Sequence, residues 1–112
     1  MKERDFQHIV IEKIRKRFPE AIILKNDANY LQGYPDLTIH KNGRYAIIEC
    51  KRSKDETHQP NQDYYIDKAN NDGGYGAFVY PDNLDIVLED LDNVFNPISY
   101  CGSIRTKNNS WR

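Results

Sequence analysis

The feature that most constrains this chain is a dipeptide, Asn42-Gly43, set between two short runs rich in apolar residues. Asn-Gly tolerates the positive φ angles of a two-residue turn, and between alternating runs it is the strongest short-range hairpin signal. The turn dictates a register. Lys41 faces Arg44, His40 faces Tyr45, Thr38 faces Ile47, and Asp36 faces Glu49. Side chains alternate between the faces of a strand. Leu37, Ile39, Ala46, Ile48 and Cys50 therefore share one wholly apolar face, which should meet the core. Asp36, Glu49 and Lys51 share the other. Two carboxylates facing each other about 5 Å apart at Cβ repel, and they need a proton, a cation or solvent between them. A hard divalent ion such as Mg²⁺, which takes carboxylate oxygens and retains waters, suits the pair. Lys51, two residues beyond Glu49, can reach the same ion-bound water or a phosphate. A solvated hairpin face with Lys51 balancing two acids is the plainer alternative. The constrained turn Gly33-Tyr34-Pro35 before Asp36, and the apolar strand running straight into Glu49, weigh against it.

Around this hairpin the chain alternates helix and strand signals. Residues 3–18 read as an amphipathic helix with Phe6, Ile9, Val10, Ile14 and Phe18 at helical spacing, closed by Pro19. Residues 21–25 form a short apolar strand, and 26–34 a loop rich in Asn, Asp and Gly. Asp36–His40 and Arg44–Lys51 are the hairpin strands. Pro60 suits the first turn of a helix running to about Asn71, before Gly73-Gly74. Residues 77–80 read as a fourth strand. Leu84, Val87, Leu88, Leu91, Val94 and Phe95 form a further helical stripe. The order predicts an α/β domain, an α-β-β-β-α-β core with a mixed central sheet flanked by helices, plus a C-terminal helix. Residues 1–95 make one domain, and 96–112 a polar tail.

The chain's 112 residues suffice for one domain and one modest core. A net charge of −1 argues against a wholly basic nucleic-acid coat but leaves segregated charge open. Basic residues gather at Lys13, Arg15, Lys16 and Arg17, and at Lys41, Arg44, Lys51, Arg52 and Lys54. No run is long enough to span a bilayer and no signal-peptide core opens the chain, so a cytoplasmic protein is expected. Cys50 and Cys101 match neither a disulfide framework nor a zinc pattern.

Pro35-Asp36 followed by Glu49-Cys50-Lys51 resembles the PD-(D/E)XK nuclease signature. The short motif is weak alone. Its order, separation and strand–turn–strand context strengthen it. More narrowly, the chain resembles a stand-alone VRR-NUC domain, the virus-type replication and repair nuclease, over about residues 3–80. That resemblance rests on Glu3 and Gln7 in the first helix, Gly33-Tyr34-Pro35-Asp36, Glu49-Cys50-Lys51, and Gln62 in the next helix. It implies a restriction-endonuclease-like fold and hydrolysis of phosphodiester bonds with Mg²⁺ or Mn²⁺. Asp36, Glu49, the backbone carbonyl of Cys50 and Glu3 would hold the metal. Lys51 would orient water or stabilise charge, and Gln62 would fix Lys51 or a phosphate. Glu3 and Gln7 have independent support, since they continue the stripe of Val10 and Ile14 and so face inward. The alternative for Glu3 is fraying at an exposed terminus, and for Gln62 an ordinary exposed helix position.

Related stand-alone domains act on branched DNA, so the resemblance extends to a structure-selective endonuclease cutting four-way junctions. A two-fold symmetric substrate suits a homodimer. A phage or phage-derived setting in the host cytosol follows from the same likeness, with no membrane and no small-molecule cofactor. Rivals are a nuclease of this fold acting on linear or single-stranded DNA, and a non-catalytic nucleic-acid-binding or assembly module. A chance motif on an unrelated α/β domain is the third. His8, His40 and His58 lack metal-ligand spacing and read as surface or turn residues. Tyr64-Tyr65 reads as helix packing, and Asp63 with Asp67 as a solvated face. Arg105, Lys107, Trp111 and Arg112 in the tail are left as contacts to DNA or a loose end.

Overall fold

The structure is a computed structural model, and it describes residues 1–27 and 29–96. The elements run α1 (Glu3–Arg17), β1 (Ile22–Lys25), β2 (Leu37–Lys41), β3 (Arg44–Cys50), α2 (Gln62–Asn71), β4 (Tyr75–Val79), a 3₁₀ turn (Pro81–Asn83) and α3 (Leu84–Phe95). The four strands lie in chain order, with β1–β2 and β2–β3 antiparallel and β3–β4 parallel. The parallel step requires a crossover, and α2 supplies it. This is the mixed α/β sheet flanked by helices that the element order predicts.

The hairpin has the expected register, from Lys41 opposite Arg44 to Leu37 opposite Ile48. Asn42 and Gly43 take φ of 55° and 77°, the left-handed pair that a tight hairpin demands. The apolar face is also as expected. Leu37, Ile39, Ala46, Ile48 and Cys50 are buried in one cluster with Phe6, Val10 and Ile14 of α1 and Val87, Leu88 and Leu91 of α3. Phe18 and Phe95 close its far end, edge to face at 5.5 Å. On the opposite face α2 covers a smaller cluster of Ile47, Ile66 and Ala69, with Tyr34, Tyr45, Tyr65 and Phe78 packed around it. Gly76 permits this approach, because a Cβ there would lie 2.7 Å from the Ile66 carbonyl oxygen.

Several local expectations shift. Ile9 of the α1 stripe faces solvent, and Ile11 takes the inward place. The stripe is broader than one row, so that position i+5 from Phe6 faces inward more than i+3. Pro60 precedes α2 instead of opening it, since Asn61 adopts a left-handed conformation (φ 74°) and the first helical residue is Gln62. β4 starts at Tyr75 and ends at Val79, because parallel pairing to Ala46 and Ile47 recruits Tyr75 and Gly76, residues of weaker apolar signal. The tail residues Cys101, Arg105, Lys107, Trp111 and Arg112 lie outside the described residues.

Candidate metal and active site

The ladder between β2 and β3 stops at Leu37 and Ile48, one step short of the two acids. Beyond it, side chains take over from backbone. The Cys50 N–H donates to Asp36 Oδ2 at 3.0 Å, and the Asp36 N–H donates to Glu49 Oε1 at 3.1 Å. Each acid thus holds the backbone that carries the other. Pro35 causes the change, since it has no N–H to extend the ladder and sits where Cys50 would otherwise pair. Asn26 braces the turn by donating to the Pro35 carbonyl and to Thr38 Oγ1, at 2.8 and 2.9 Å. Gly33 also serves the turn: at φ +82°, a Cβ on it would stand 2.3 Å from the Pro60 carbonyl oxygen. The Gly33–Asp36 loop is thereby pressed against the entry to α2.

Glu3, at the start of α1, completes a cluster in which single carboxylate oxygens of Glu3, Asp36 and Glu49 lie within 4.8 Å of one another. Gln7, one turn along α1, also hydrogen-bonds Asp36. Glu49, Lys51 and Gln62 are each no more than 6% exposed, unusual for these residue types. Lys51 Nζ lies 3.8 Å from Glu49 Oε2 and donates to the Thr57 carbonyl at 3.2 Å. Gln62 Nε2 donates to the same Glu49 oxygen at 2.9 Å, and Gln62 Oε1 accepts the Gln59 N–H at 2.8 Å. Gln62 therefore fixes Glu49, where the expectation was Lys51 or a phosphate. A lysine at the end of β3 reaches outward to the loop, and the first residue of α2 points down at β3.

The electrostatics favour a positive charge between the acids. Burial pushes the Glu49 carboxyl up to about 8, with the charge on Asp36 next in importance, against the pull of Lys51. Asp36 is raised mainly by burial, despite the Cys50 N–H and the Gln7 amide that favour its ionised form. Glu3 is raised by burial and then by Asp36. A divalent cation answers all three shifts. Ligand oxygens about 2.1 Å from Mg²⁺ lie at most about 4.2 Å apart, so small side-chain rotations close this cluster on one ion. Cys50 adds its carbonyl: a strand residue's N–H and C=O share one side, so the carbonyl points to the side on which its N–H meets Asp36. The Cys50 thiol is buried in the core, with its ionisation suppressed by burial.

One residue read as surface has a more defined place. His58 stacks on Phe78 with ring centroids 4.0 Å apart, and its Nδ1 lies 2.9 Å from Asp63 Oδ1. Phe78 is the β4 partner of Glu49, so this stack anchors the loop that carries the Thr57 carbonyl. A lone histidine in a polar segment gives no sign of this. The histidine–aspartate spacing across Pro60 is the one available hint. Tyr65 packs on Tyr34, as expected of helix packing, while Tyr64 remains exposed.

Arrangement and site together define an α/β domain with two acids at the end of a hairpin and a lysine beside them. Its fold is that of the VRR-NUC domain. A solved structure of a VRR_NUC domain protein superimposes with a TM-score of 0.64 at 20% identity, covering 80% of this chain and 87% of that one. A second, described as a VRR_NUC domain, gives 0.57 at 19% identity over 73% of this chain and 92% of its own. No family model matches the sequence, and no curated protein does. At such identity the likeness is one of fold.

Proposed function

We propose that this protein is a divalent-metal-dependent endonuclease that hydrolyses phosphodiester bonds in DNA, selective for branched structures such as four-way junctions. The observation that carries the reading is the group of buried Glu49 and half-buried Glu3 and Asp36, whose oxygens approach within 4.8 Å beside Lys51. A binding module has little use for facing carboxylates near phosphate, whereas a metal-assisted hydrolase requires them. The VRR-NUC fold supports the same conclusion.

When bound, Mg²⁺ or Mn²⁺ would supply a lowered pKa for water and neutralise charge developing on the phosphate. Asp36, Glu49, the Cys50 carbonyl and Glu3 would hold it. The protein's own contribution is positioning. Gln62 holds one Glu49 oxygen and the Asp36 N–H the other, so that Glu49 presents a single orientation. The Thr57 carbonyl steers the Lys51 ammonium, which can orient the attacking water or stabilise the transition-state charge. A symmetric junction cut at paired positions calls for two copies of the domain.

Cleavage of a labelled four-way junction, beside linear duplex and single strand, tests the proposal in Mg²⁺ and in Mn²⁺. Symmetric, metal-dependent junction cuts that vanish in Glu49→Ala are expected. Cleavage confined to linear or single-stranded DNA would remove the junction preference, and no cleavage of any substrate would remove the nuclease reading.

A further inference from the structure

The sheet treats its two edges differently. Strand parity identifies which backbone groups face outward. Lys51 bonds back to the Val79 carbonyl, so Tyr75, Ala77 and Val79 face β3, and Gly76, Phe78 and Tyr80 face away. Asparagine side chains close that outer row. Asn70 accepts the Gly76 N–H at 2.8 Å and donates to the Gly76 carbonyl at 3.0 Å. Asn83 accepts the Tyr80 N–H at 2.8 Å and donates to the Phe78 carbonyl at 3.0 Å. Such blocking is how edge strands avoid pairing with other chains.

β1 is the other edge, and among the described residues nothing comparable covers it. The Asn26 N–H bonds to the Asp36 carbonyl, so Ile22 and Leu24 turn their backbone groups to β2, while Ile23 and Lys25 turn theirs outward. The strand has no proline, and its one charge, Lys25, lies opposite Leu37 on the side of the core. Its side chains Ile22 and Leu24 are 59% and 46% exposed, on the face that carries Thr38 and Glu49.

We infer that β1 is the interface through which two copies of this chain pair, antiparallel about a two-fold axis at Ile23, into one continuous eight-stranded sheet. The sequence of the edge is self-complementary in that register. Ile23 exchanges N–H and carbonyl with Ile23 of the second copy, in the hydrogen-bonded pairing its outward groups require. Ile22 lies opposite Leu24 of the second copy and Leu24 opposite its Ile22, so the four exposed side chains meet as one apolar cluster. At each end Lys25 of one copy lies opposite Ala21 of the other, so no like charges oppose. An axis perpendicular to the sheet keeps both acid clusters on one face. With strands about 4.8 Å apart and a rise of about 3.4 Å per residue, the two clusters stand about 28 Å apart on a flat sheet. The paired-cut consequence rests on the proposed nuclease activity. The interface itself does not.

Sedimentation of the full chain and of the Ile22→Lys/Leu24→Lys variant, with hydrogen exchange at the Ile23 and Lys25 amides, tests the inference without any activity. A dimer is expected, with protection of those two amides that rises with protein concentration. The variant should be monomeric, lose that protection and retain a cooperative melt. A monomer at every concentration would overturn the inference, as would a dimer that survives in the folded variant. Protection independent of concentration would also overturn it, since it would show that the chain's own residues cover the edge. If the variant fails to fold, the concentration dependence in the unaltered chain decides alone. Given cleavage by the unaltered dimer, the monomeric variant should nick junctions singly where the dimer cuts in pairs.

Discussion

At the scale of single residues, groups that touch have separate proposed tasks. Lys51 lies beside Glu49 without belonging to the carboxylate cluster. Lys51→Ala should therefore lower cleavage by about 10²–10³-fold, the loss typical of removing one preorganised charge stabiliser, while Mn²⁺ still binds. Retained cleavage would end that role. Glu49 gives a second prediction, in pH. Its carboxyl is raised to about 8 in the fold, so the folded state holds a proton that the unfolded state has released. The stabilisation this proton provides is complete below about pH 4.5 and is lost as pH rises through about 8. Melting temperatures of the metal-free protein should accordingly fall across that window, and the gain on adding Mn²⁺ should grow across it. A flat profile without metal would contradict the burial and crowding described above. Of these residues, Asp36, Glu49 and Lys51 were legible from the turn, because a two-residue hairpin leaves no freedom of register. Gln62 was legible only as a position. Which atom it would bond depends on how far α2 descends onto β3, which Gly76 decides from another element. Ile9 and Ile11 could not be told apart by periodicity, since both flank the same inward row.

At the scale of elements, the loops carry the information that periodicity misses. Gly33 combines a positive φ with close contact to the Pro60 carbonyl, so Gly33→Ala should destabilise by about 1–3 kcal/mol or more and loosen the Asp36 turn. Denaturant midpoints measure this, and an unchanged midpoint would show that the turn relaxes freely. Asn83→Ala removes the partners of the Tyr80 N–H and the Phe78 carbonyl together. A loss of about 1–3 kcal/mol is expected from unmaking partly buried backbone bonds, with increased self-association as the β4 edge opens. Stability without such association would mean that the edge is protected by other means. No local pattern in the sequence marks Asn70 or Asn83. Their use as edge seals follows from the order of strands, which no local pattern specifies. The onset of α2 after Pro60 has the same origin, because Asn61 turns left-handed where the Gly33 loop presses on it.

At the scale of the whole molecule, the sheet separates two tasks. Its apolar face, with α1 and α3, supplies the core, and its other face, with α2, carries Glu49 and its partner Gln62. α1 joins the two by carrying Phe6 and Val10 into the core and Glu3 to the acids beyond the strand ends. No helix among the described residues is long and apolar enough to cross a membrane. Calorimetric titration with Mn²⁺ tests most directly whether Glu3, Asp36 and Glu49 hold a divalent cation. Saturable binding of at least one ion per chain is expected near pH 8, abolished in Glu49→Gln and weakened in Glu3→Gln. Absence of binding to the unaltered protein, or equal binding by Glu49→Gln, would contradict such a site.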